Sequence, residues 1–438
     1  MKPRPPLPPG PFLVVGLARS GVAAALSLRA RGEEVIGCDA GTGDAPGLAA
    51  AAGRLRNAGV EVHLDAPGEA LAASGKAGTL VKSPGVPPDA PVIAAARHRG
   101  VPVLGELELA WRLIPNEFIA VTGTNGKTTT TEWIGHIHRE AGLPVAVAGN
   151  VGTAASSLTG SLGAATTVVC EASSFQLEDS ESFAPELALL LNLSPDHLDR
   201  HPSYEDYVRA KLRIFAHQSS DDVAVLPAEL GLPELGGHAR RLRFGSGREV
   251  ELCQTISLPG EHNRQNAMAA AAVCLARGIE EEAVAAGLGS FAGVAHRLER
   301  IAVRDGVSWI NDSKATNVAS TRVALCAYPG GVRLIAGGRG KQQDFSPLAP
   351  LVAERCKAVY LIGEAAQELA RALAGSGVPL HLAGDLELAV ARARAAARAG
   401  EVILLSPACA SYDQYADFEA RGKHFRALVQ GALAREGV

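Results

Sequence analysis

The feature that most constrains the fold is a glycine-containing loop at residues 122–129, with the sequence TGTNGKTT, that directly follows an apolar run at residues 118–121. A strand that ends in such a loop and leads into a helix presents backbone N–H groups and the helix dipole to a polyphosphate. We expect Lys127 to neutralise the terminal phosphates and the Thr128 hydroxyl to bind Mg²⁺. The strict phosphate-loop pattern has glycine where this chain has Val121, so the alternative is an ordinary strand-to-helix turn with a solvated lysine.

Short apolar runs alternate with helical stretches along the whole chain, a pattern that predicts parallel sheets. We predict an α/β protein of three domains: a Rossmann-like domain at residues 1–105, a central P-loop ATPase-type domain at 106–293 and a Rossmann-like carboxyl-terminal domain at 294–438. The main predicted strands are residues 12–15, 34–38, 118–121, 167–170, 187–193, 332–336, 358–362 and 402–405. Residues 22–30, 106–113 and 388–399 are predicted helices.

Composition narrows the class of protein. The 438 residues carry a net charge of −4 without basic tracts, which disfavours broad binding of nucleic acid or of anionic membranes. No apolar run approaches the roughly 18 residues that span a bilayer, and no signal peptide is expected. The seven cysteines are scattered without a Cys-x-x-Cys pair, which suits reduced thiols. We therefore expect a cytoplasmic protein that acts as a monomer.

A second cluster, Glu171 with the residues up to Gln176, follows the apolar run at residues 167–170. The carboxyl end of a parallel strand is where α/β sheets place their ligands, and a nucleotide-bound metal needs a protein oxygen there. Glu171 is therefore the first candidate for a metal ligand. The alternative is an acidic residue that is favourable with the dipole of a following helix.

A third cluster of polar residues, 192–201 with the sequence NLSPDHLDRH, follows another apolar strand, and Lys211 comes 14 residues after His197. The spacing alone leaves three roles open for His197, namely metal ligand, general base or surface capping residue. By itself, the sequence around Lys211 predicts an ordinary solvated lysine on a helix. His136 and His138 lie two residues apart on a predicted helix and face different directions, so we interpret them as structural.

Near the amino terminus, the turn at residues 16–21 follows a strand, and Asp39 ends the next strand 23 residues after Gly16. This arrangement imitates the dinucleotide-binding fingerprint, with Ala18 in place of its middle glycine. It supports a nucleotide-diphosphate site without identifying the nucleotide.

Taken together with further stretches, these clusters resemble the Mur ligase family of peptidoglycan synthesis. The further stretches are HNRQN at 262–266, HR at 296–297, NDSKATN at 311–317, GGRGK at 337–341 and SPACASYDQ at 406–414. The resemblance covers almost the whole chain, and the family's phosphate loop has an aliphatic residue at the position of Val121. Residues 311–317 and 406–414 resemble the members that add D-glutamate; the diaminopimelate- and lysine-adding relatives carry a different carboxyl-terminal motif. Arg339 departs from the acidic residue of some relatives.

The resemblance implies an ATP-dependent amide ligase that uses two Mg²⁺ ions and joins D-glutamate to UDP-N-acetylmuramoyl-L-alanine through an acyl phosphate. It implies catalytic roles for Lys127, His197 and Lys211. Metal ligands would be Thr128, Glu171, His197 and Lys211, the last of which family members often carry as a carbamate. ATP contacts are implied for Gly123, Thr124, Asn125, Gly126, Lys127, Thr128, Thr129, Asn263, Asn266, Arg297 and Asp312. Substrate contacts are implied for Ala18, Arg19, Ser20, Asp39, Ser83, Pro84, Gly85, Asn150, Lys314, Thr316, Lys341, Ser411 and Phe418.

Two functions from other classes remain alternatives. A nicotinamide-dependent oxidoreductase would use the turn at residues 16–21 but leaves the phosphate loop without a role. A non-catalytic ATP-driven switch would hydrolyse ATP without any dependence on an amino acid. Within the family, the rivals are ligases for another amino acid and folylpolyglutamate synthetase.

Overall fold

The computed structural model of the protein describes residues 2–43, 46–150, 152–197, 200–231, 235–256, 258, 260–340 and 343–434. The chain divides into two compact units, Met1–Ser257 with Glu261–Phe291 and Leu258–Gly260 with Ala292–Val438. The first unit contains two parallel sheets, and the second contains one mostly parallel sheet. The predicted α/β fold is therefore confirmed, whereas the domain limits after residues 105 and 293 stay predictions.

The first sheet is built from the amino-terminal part of the chain. Its elements are β1 (Phe12–Val15), α1 (Arg19–Ala30), β2 (Val35–Cys38), α2 (Pro46–Asn57), β3 (Glu61–His63), α3 (Glu69–Ala73), β4 (Thr79–Lys82), α4 (Pro91–His98) and β5 (Val103–Gly105), followed by α5 (Glu106–Leu113). The strand order is β3-β2-β1-β4-β5, and all neighbours are parallel. The order reverses between β1 and β4, so a crevice forms beyond their carboxyl ends, where sheets of this type bind ligands.

The second sheet has the strand order β11-β10-β9-β6-β8-β7 and is also parallel throughout. Its elements, with the helices that follow it, are β6 (Phe118–Thr122), α6 (Lys127–Glu140), β7 (Val145–Gly149), β8 (Thr167–Glu171), α7 (Ser174–Glu178), β9 (Leu187–Leu190), α8 (Tyr204–Leu212), β10 (Val223–Pro227), β11 (Arg240–Phe244), α9 (Arg248–Leu252), α10 (Glu261–Ala276) and α11 (Glu281–Ser290). The predicted strand at residues 187–193 ends earlier, at Leu190. The loops that follow β6, β8 and β9 leave the same edge of the sheet because parallel strands end together.

The third sheet has the strand order β12-β13-β17-β14-β15-β16. Its elements are β12 (Glu299–Arg304), β13 (Val307–Asn311), α12 (Val318–Cys326), β14 (Val332–Gly337), α13 (Ala349–Arg355), β15 (Cys356–Ile362), α14 (Ala366–Leu373), β16 (Leu380–Gly384), α15 (Leu386–Ala396), β17 (Val402–Leu405) and α16 (Phe418–Ala434). Short 3₁₀ turns occupy Ala155–Leu158, Arg213–Phe215, Cys253–Thr255, Ser346–Leu348 and Ala374–Ser376.

One strand pair that was not predicted departs from the parallel arrangement, because β12 and β13 are antiparallel. Asp305 and Gly306 connect them with φ values of 49° and 73°. Positive φ at both central residues matches a tight hairpin turn, for which Asp-Gly is a favoured sequence. The Asp305-Gly306 dipeptide therefore indicated a hairpin, which a prediction from apolar periodicity alone does not detect.

The core of the second sheet explains why its strands are continuous apolar runs. Both faces of β6 are covered by helices, and its residues are fully buried. Trp111 of α5 and Phe118 of β6 each meet Phe183 in an edge-to-face contact, with ring centroids 5.8 and 6.3 Å apart. Within the described residues, no helix has both the length and the apolar character needed to cross a bilayer.

A buried ion pair lies inside the first unit, between β4 and the end of α7. The Lys82 Nζ lies 2.7 Å from Asp179 Oδ2, and both side chains are almost fully buried. Lys82 also donates to the Val86 carbonyl at 3.0 Å. Burial raises the pKa of Asp179, although attraction to Lys82 opposes that rise. Because the effect of burial is larger than the attraction to Lys82, the charged form of Asp179 depends on this ion pair.

We predict that Lys82→Met lowers the free energy of unfolding of the first unit by about 3–5 kcal/mol, because it leaves the Asp179 carboxylate buried and unpaired. Adding Asp179→Asn recovers a large part of the loss. Calorimetric unfolding of the full chain measures both effects, and Lys76→Met, at an exposed lysine, is the matched control. Equal losses in the single and the double variant would contradict this account.

Candidate active site

The phosphate-loop segment connects β6 to α6 and begins the helix at Lys127. Gly126 occupies the N-cap position with φ of 85°, and a Cβ at this position would overlap the side-chain amide of Asn266. Glycine is therefore required by both backbone conformation and space. The Lys127 Nζ donates to the carbonyl groups of Gly123 and Thr124 at 3.0 and 2.9 Å, so the lysine folds back over its own loop.

A single asparagine, Asn192, fixes the far side of this loop. Its Oδ1 accepts from the Asn125 N–H at 2.8 Å, and its Nδ2 donates to the Asn125 carbonyl at 3.0 Å. The Asn192 carbonyl accepts from the Thr124 N–H at 3.0 Å, and the Thr124 hydroxyl lies 2.9 Å from the Tyr207 hydroxyl. The sequence analysis gave no role to Asn192 or Tyr207. For Asn192, its position just after the apolar run of β9 was the available signal.

The last residue of β8, Glu171, lies beside the phosphate-loop helix. Its Oε2 accepts from the Thr128 hydroxyl at 2.7 Å, and its Oε1 accepts from Asn150 Nδ2 at 3.2 Å. Glu171 is therefore a strand-end carboxylate at the loop, not a residue inside a following helix. Thr128 and Thr129 lie in the first turn of α6, and both are buried.

The Thr128 and Glu171 oxygens fit a magnesium ion. They are hard ligands held 2.7 Å apart. Neighbouring ligands of an octahedral Mg²⁺ with bonds of about 2.0–2.1 Å are separated by roughly 2.9 Å, so the pair needs little rearrangement to bind one. Among the residues that the structure describes, no group of three or more His, Cys, Asp or Glu side chains is arranged to hold a metal. A metal here would therefore take its remaining ligands from nucleotide phosphates and water.

The Lys211 side chain is buried and reaches the same loop from α8. Its Nζ donates to the Gly123 carbonyl at 2.8 Å, so Lys127 and Lys211 share one acceptor. The Nζ also lies 4.6 Å from the Tyr207 ring centroid. Burial, followed by the nearby charge of Lys127, lowers the pKa of Lys211 to about 6. Lys211 is thus not the solvated helix lysine that its sequence context indicated.

The predicted residue His197 lies in the loop after β9, with φ of 53° and a half-exposed side chain. Its ring meets the Phe175 ring at 4.9 Å, and its Nε2 lies 3.6 Å from Asp196 Oδ2. His201 is more buried: its ring stacks on Phe175 at 5.5 Å, and its Nε2 lies 3.0 Å from the Ser174 hydroxyl. The metal role of His197 stays a prediction, and His201 is a neighbour that sequence reasoning left without a role.

The turn at residues 16–21 and the loop after β4 meet at the point where the strand order of the first sheet reverses. The Ser83 hydroxyl donates to the Gly16 carbonyl at 2.7 Å. One Asp39 carboxylate oxygen accepts from the Leu17 N–H of this turn at 2.6 Å, and the other accepts from the Gly41 N–H, after β2, at 2.8 Å. These bonds bring Asp39 and Ser83 to the turn at residues 16–21. The predicted substrate contacts lie on this turn, after β2 and after β4, and their roles stay predictions: Ala18, Arg19, Ser20, Asp39, Ser83, Pro84 and Gly85.

Two further arginine contacts tie this crevice to the second sheet within the first unit. The Arg19 guanidinium donates to the Gly152 carbonyl at 2.7 Å. Arg200 donates to the Pro84 and Val86 carbonyls at 3.0 and 3.1 Å, and its guanidinium lies 4.1 Å from the Phe175 ring centroid. The loop expected to contact substrate is thus held through the segment that carries His197.

The predicted adenine contacts, Asn263 and Asn266, lie on α10 and are both buried. Their spacing of three residues places them on one helical face, as predicted. Asn266 packs against Gly126, as described above. The other two predicted ATP contacts, Arg297 and Asp312, lie in the second unit.

In the second unit, Asp312 follows β13 and is buried. It accepts from the Ser406 hydroxyl at 2.7 Å and from the Leu298 N–H at 3.1 Å. Burial raises the pKa of Asp312 to about 7, although these hydrogen bonds and the charges of Arg297 and Lys314 oppose the rise. A carboxyl group with this pKa is able to either donate or accept a hydrogen bond near neutral pH.

The described members of the predicted amino-acid site follow strands of the third sheet or begin its last helix. Lys314 and Thr316 follow β13, Ser411 follows β17, and Phe418 begins α16. Lys341 falls outside the described residues. Arg339, which departs from some relatives, pairs with Glu364 through two hydrogen bonds of 3.0 and 2.9 Å.

Comparison with known proteins agrees with this arrangement. Residues 121–232 match the Mur ligase middle domain, and residues 296–409 match the Mur ligase glutamate ligase domain. Two curated relatives, from Acidobacterium capsulatum and Anaeromyxobacter dehalogenans, are named UDP-N-acetylmuramoylalanine–D-glutamate ligase. They are 42% and 44% identical to this chain, over 97% and 95% of it and 96% of each relative.

Solved structures show the same fold at lower sequence identity. The UDP-N-acetylmuramate-alanine ligase of Thermotoga maritima has a TM-score of 0.60 and 20% identity, with coverage of 97% of this chain and 100% of that one. A pseudomurein peptide ligase of Methanothermus fervidus has a TM-score of 0.51 and 18% identity, with coverage of 96% and 99%. With full-length relatives above 40% identity and both domain matches, the chain belongs to the Mur ligase family.

Proposed function

We propose that this protein is the ligase that joins D-glutamate to UDP-N-acetylmuramoyl-L-alanine in the synthesis of peptidoglycan precursors, with conversion of ATP to ADP and phosphate. The supporting observation is that one edge of the second sheet assembles the phosphate loop, the Thr128–Glu171 oxygen pair and Lys211. Mur ligases are ATP-dependent, and the full-length relatives are named for D-glutamate addition. The crevice at the reversal point of the first sheet is the site we assign to the uridine nucleotide.

The first chemical step brings two anions together. The terminal carboxylate of the muramoyl substrate attacks the γ-phosphorus of ATP, the bond to the β-phosphate oxygen breaks, and ADP leaves an acyl phosphate behind. Lys127 and the N–H groups at the start of α6 would lie beside the phosphates and stabilise negative charge as it shifts. The N–H groups of Thr124 and Asn125 are engaged by Asn192 and hold the loop in shape. We assign Asn150 to the muramoyl substrate, Asn263 and Asn266 to adenine, and Arg297 and Asp312 to the nucleotide.

In the second step, the D-glutamate amine attacks the acyl carbon, phosphate leaves with the bonding electrons, and the amine loses a proton to give an amide. Water would compete for the acyl phosphate, so the amine must be held in line and solvent kept out. We assign Lys314, Thr316, Lys341, Ser411 and Phe418 to D-glutamate.

Two Mg²⁺ ions are part of the proposal. Thr128 and Glu171 would hold one, and His197 with a carbamylated Lys211 would hold the other. The ions would supply positive charge that neutralises the phosphates. Lys211 suits carbamylation because its amine is largely neutral at pH 7 and is therefore able to attack CO₂, with release of a proton, to give an anionic ligand.

We also propose that the protein works as a monomer in the cytoplasm. None of the seven cysteines forms a disulfide; six are buried and Cys326 is exposed, as suits a reducing compartment. Light scattering of the purified protein with its substrates tests the oligomeric state.

The proposed function predicts phosphate release that requires both UDP-N-acetylmuramoyl-L-alanine and D-glutamate. A coupled phosphate assay across a panel of D- and L-amino acids measures this dependence, and a dihydrofolate substrate with L-glutamate serves as a control for folylpolyglutamate synthesis. Activity with D-glutamate alone among the amino acids is the expected result.

Other outcomes identify the alternatives. ATP hydrolysis that ignores amino acids would favour an ATP-driven switch, and a fluorescence change on NADH titration would favour an oxidoreductase. Phosphate release with another amino acid would be consistent with the Mur ligase family but would contradict D-glutamate as the substrate.

We predict that Thr128→Val raises the Mg²⁺ concentration needed for half-maximal activity by about tenfold or more, since the metal loses one of its two protein oxygens. Thr130→Val is the matched control on the same helix, because Thr130 is fully buried and its hydroxyl makes no hydrogen bond. An unchanged Mg²⁺ requirement in Thr128→Val would remove Thr128 from the metal site.

We predict that activity after CO₂ depletion at pH 7–8 is low and returns on addition of bicarbonate. ¹³C-bicarbonate should then give a carbamate signal by NMR that is absent in Lys211→Ala. The depressed pKa of Lys211 sets the direction of the pH dependence: below about pH 6 the amine is protonated and carbamylation declines. Short carboxylic acids should partly restore Lys211→Ala, because they replace the missing anion.

The matched control for this experiment is Lys76→Ala, at an exposed lysine of the first unit. It should keep both the bicarbonate response and the NMR signal. Full activity of the wild-type protein without CO₂ would show that Lys211 acts as a plain amine.

A further inference from the structure

The second unit contains a buried arginine that the sequence analysis did not identify. Arg421 lies in the first turn of α16, and only 1% of its surface is exposed. Its Nε donates to the Ser313 hydroxyl at 3.0 Å. One terminal nitrogen donates to the Gly337 and Ala410 carbonyls at 3.4 and 3.3 Å, and the other to the Ser313 and Cys409 carbonyls, at 3.0 and 3.1 Å. The five N–H groups of the guanidinium thus match five oxygens.

These five oxygens come from three separate loops. Ser313 follows β13, Gly337 ends β14, and Cys409 and Ala410 follow β17. The three strands are neighbours in the order β13-β17-β14 and run parallel, so the loops leave one edge of the sheet. Each loop carries residues that we assign to D-glutamate.

The loops after β14 and β17 have other links. Arg339 and Ala410 exchange two backbone hydrogen bonds, and the Gly337 N–H donates to the Pro407 carbonyl at 2.8 Å. The loop after β13 is linked to its neighbours at its two ends. At its start, Asp312 accepts from the Ser406 hydroxyl at 2.7 Å. Beyond its end, the Val318 N–H donates to Gln343, which in turn donates to the Ala408 carbonyl. Arg421 contacts the middle of the loop, through the side chain and the carbonyl of Ser313, next to Lys314. The guanidinium therefore holds the part of this loop that carries Lys314 against the other two loops.

The charge of Arg421 is unusual for a buried group. Among the described residues, no carboxylate lies within ion-pair distance of it; Asp413, whose charge attracts the guanidinium, accepts a hydrogen bond from the Glu364 N–H at 3.1 Å instead. Burying a cation without an anion is costly, and apolar packing alone would be served better by methionine or leucine. The loops around Arg421 are assigned to a dicarboxylate, and the carboxylates of bound D-glutamate would supply the missing negative charge.

We propose that Arg421 is the positioning residue of the amino-acid site: its guanidinium fixes the spacing of the three loops and adds positive potential where D-glutamate binds. The inference rests on the proposed function. Lysine would not replace it, since one ammonium presents donors from a single point and does not span three loops.

The test compares Arg421→Lys and Arg421→Met with Arg333→Met in the full-length protein. Arg333 is a matched control because it is also a buried arginine of the second unit, but it pairs with Glu401 at 2.6 Å near the opposite end of β14. We expect the KM for D-glutamate to rise by about tenfold or more in both Arg421 variants, with the KM for UDP-N-acetylmuramoyl-L-alanine changed by less than about twofold. Arg333→Met should lower thermal stability without moving the KM for D-glutamate.

If Arg421→Met does not fold, Arg421→Lys keeps the positive charge and loses the five-donor geometry, and its KM for D-glutamate decides the question. Ser313→Ala is a less specific variant, because the Ser313 hydroxyl accepts from Arg421 and also donates to the Phe418 carbonyl at 2.8 Å. The inference is overturned if the KM for D-glutamate is unchanged in a folded variant, or if Arg333→Met raises it equally. Wild-type protein without D-glutamate-dependent phosphate release would instead overturn the proposed function, so the two failures are distinguishable.

Discussion

Parallel pairing of strands is the constraint on which the rest of the structure depends. A parallel strand must be followed by a crossover, and all such strands in one sheet end at the same edge. In the second sheet this brings the phosphate loop, Glu171 and the loop of Asn192 together from positions distant in the chain. The same rule gathers Ser313, Gly337 and Cys409 at one edge of the third sheet. Each unit thus has a cluster of polar groups at the edge of a sheet, and no loop has to be buried to form it.

Within the first unit, one backbone carbonyl group accepts hydrogen bonds from two lysine side chains. Gly123 accepts from both Lys127 and Lys211, so two amines compete for one partial negative charge. Burial, followed by the nearby charge of Lys127, lowers the pKa of Lys211, so this amine loses its proton more readily than an exposed lysine does. The net charge of −4 gives no sign of this, because a sum over the chain averages away local potential.

Much of the fold was readable from the sequence. Strands such as β1 and β17 match the prediction residue for residue because each is a continuous apolar run, and the loops at their carboxyl ends carry the predicted motifs. The side chains that join these loops were not readable. Asp179, Arg200 and Arg421 act on groups far away in the chain, and their local context is that of ordinary helix or turn residues. Only the three-dimensional arrangement gives such residues their partners.

The packing of Asn266 against Gly126 has a consequence for how the sequence can change. The amide fills the volume that a side chain at position 126 would need, so the residue assigned to the nucleobase also limits the shape of the phosphate loop. A side chain at position 126 meets both a steric and a conformational barrier, and a smaller residue at position 266 would remove only the steric one. The choice of residue at position 266 is therefore constrained by the phosphate loop as well as by the nucleobase.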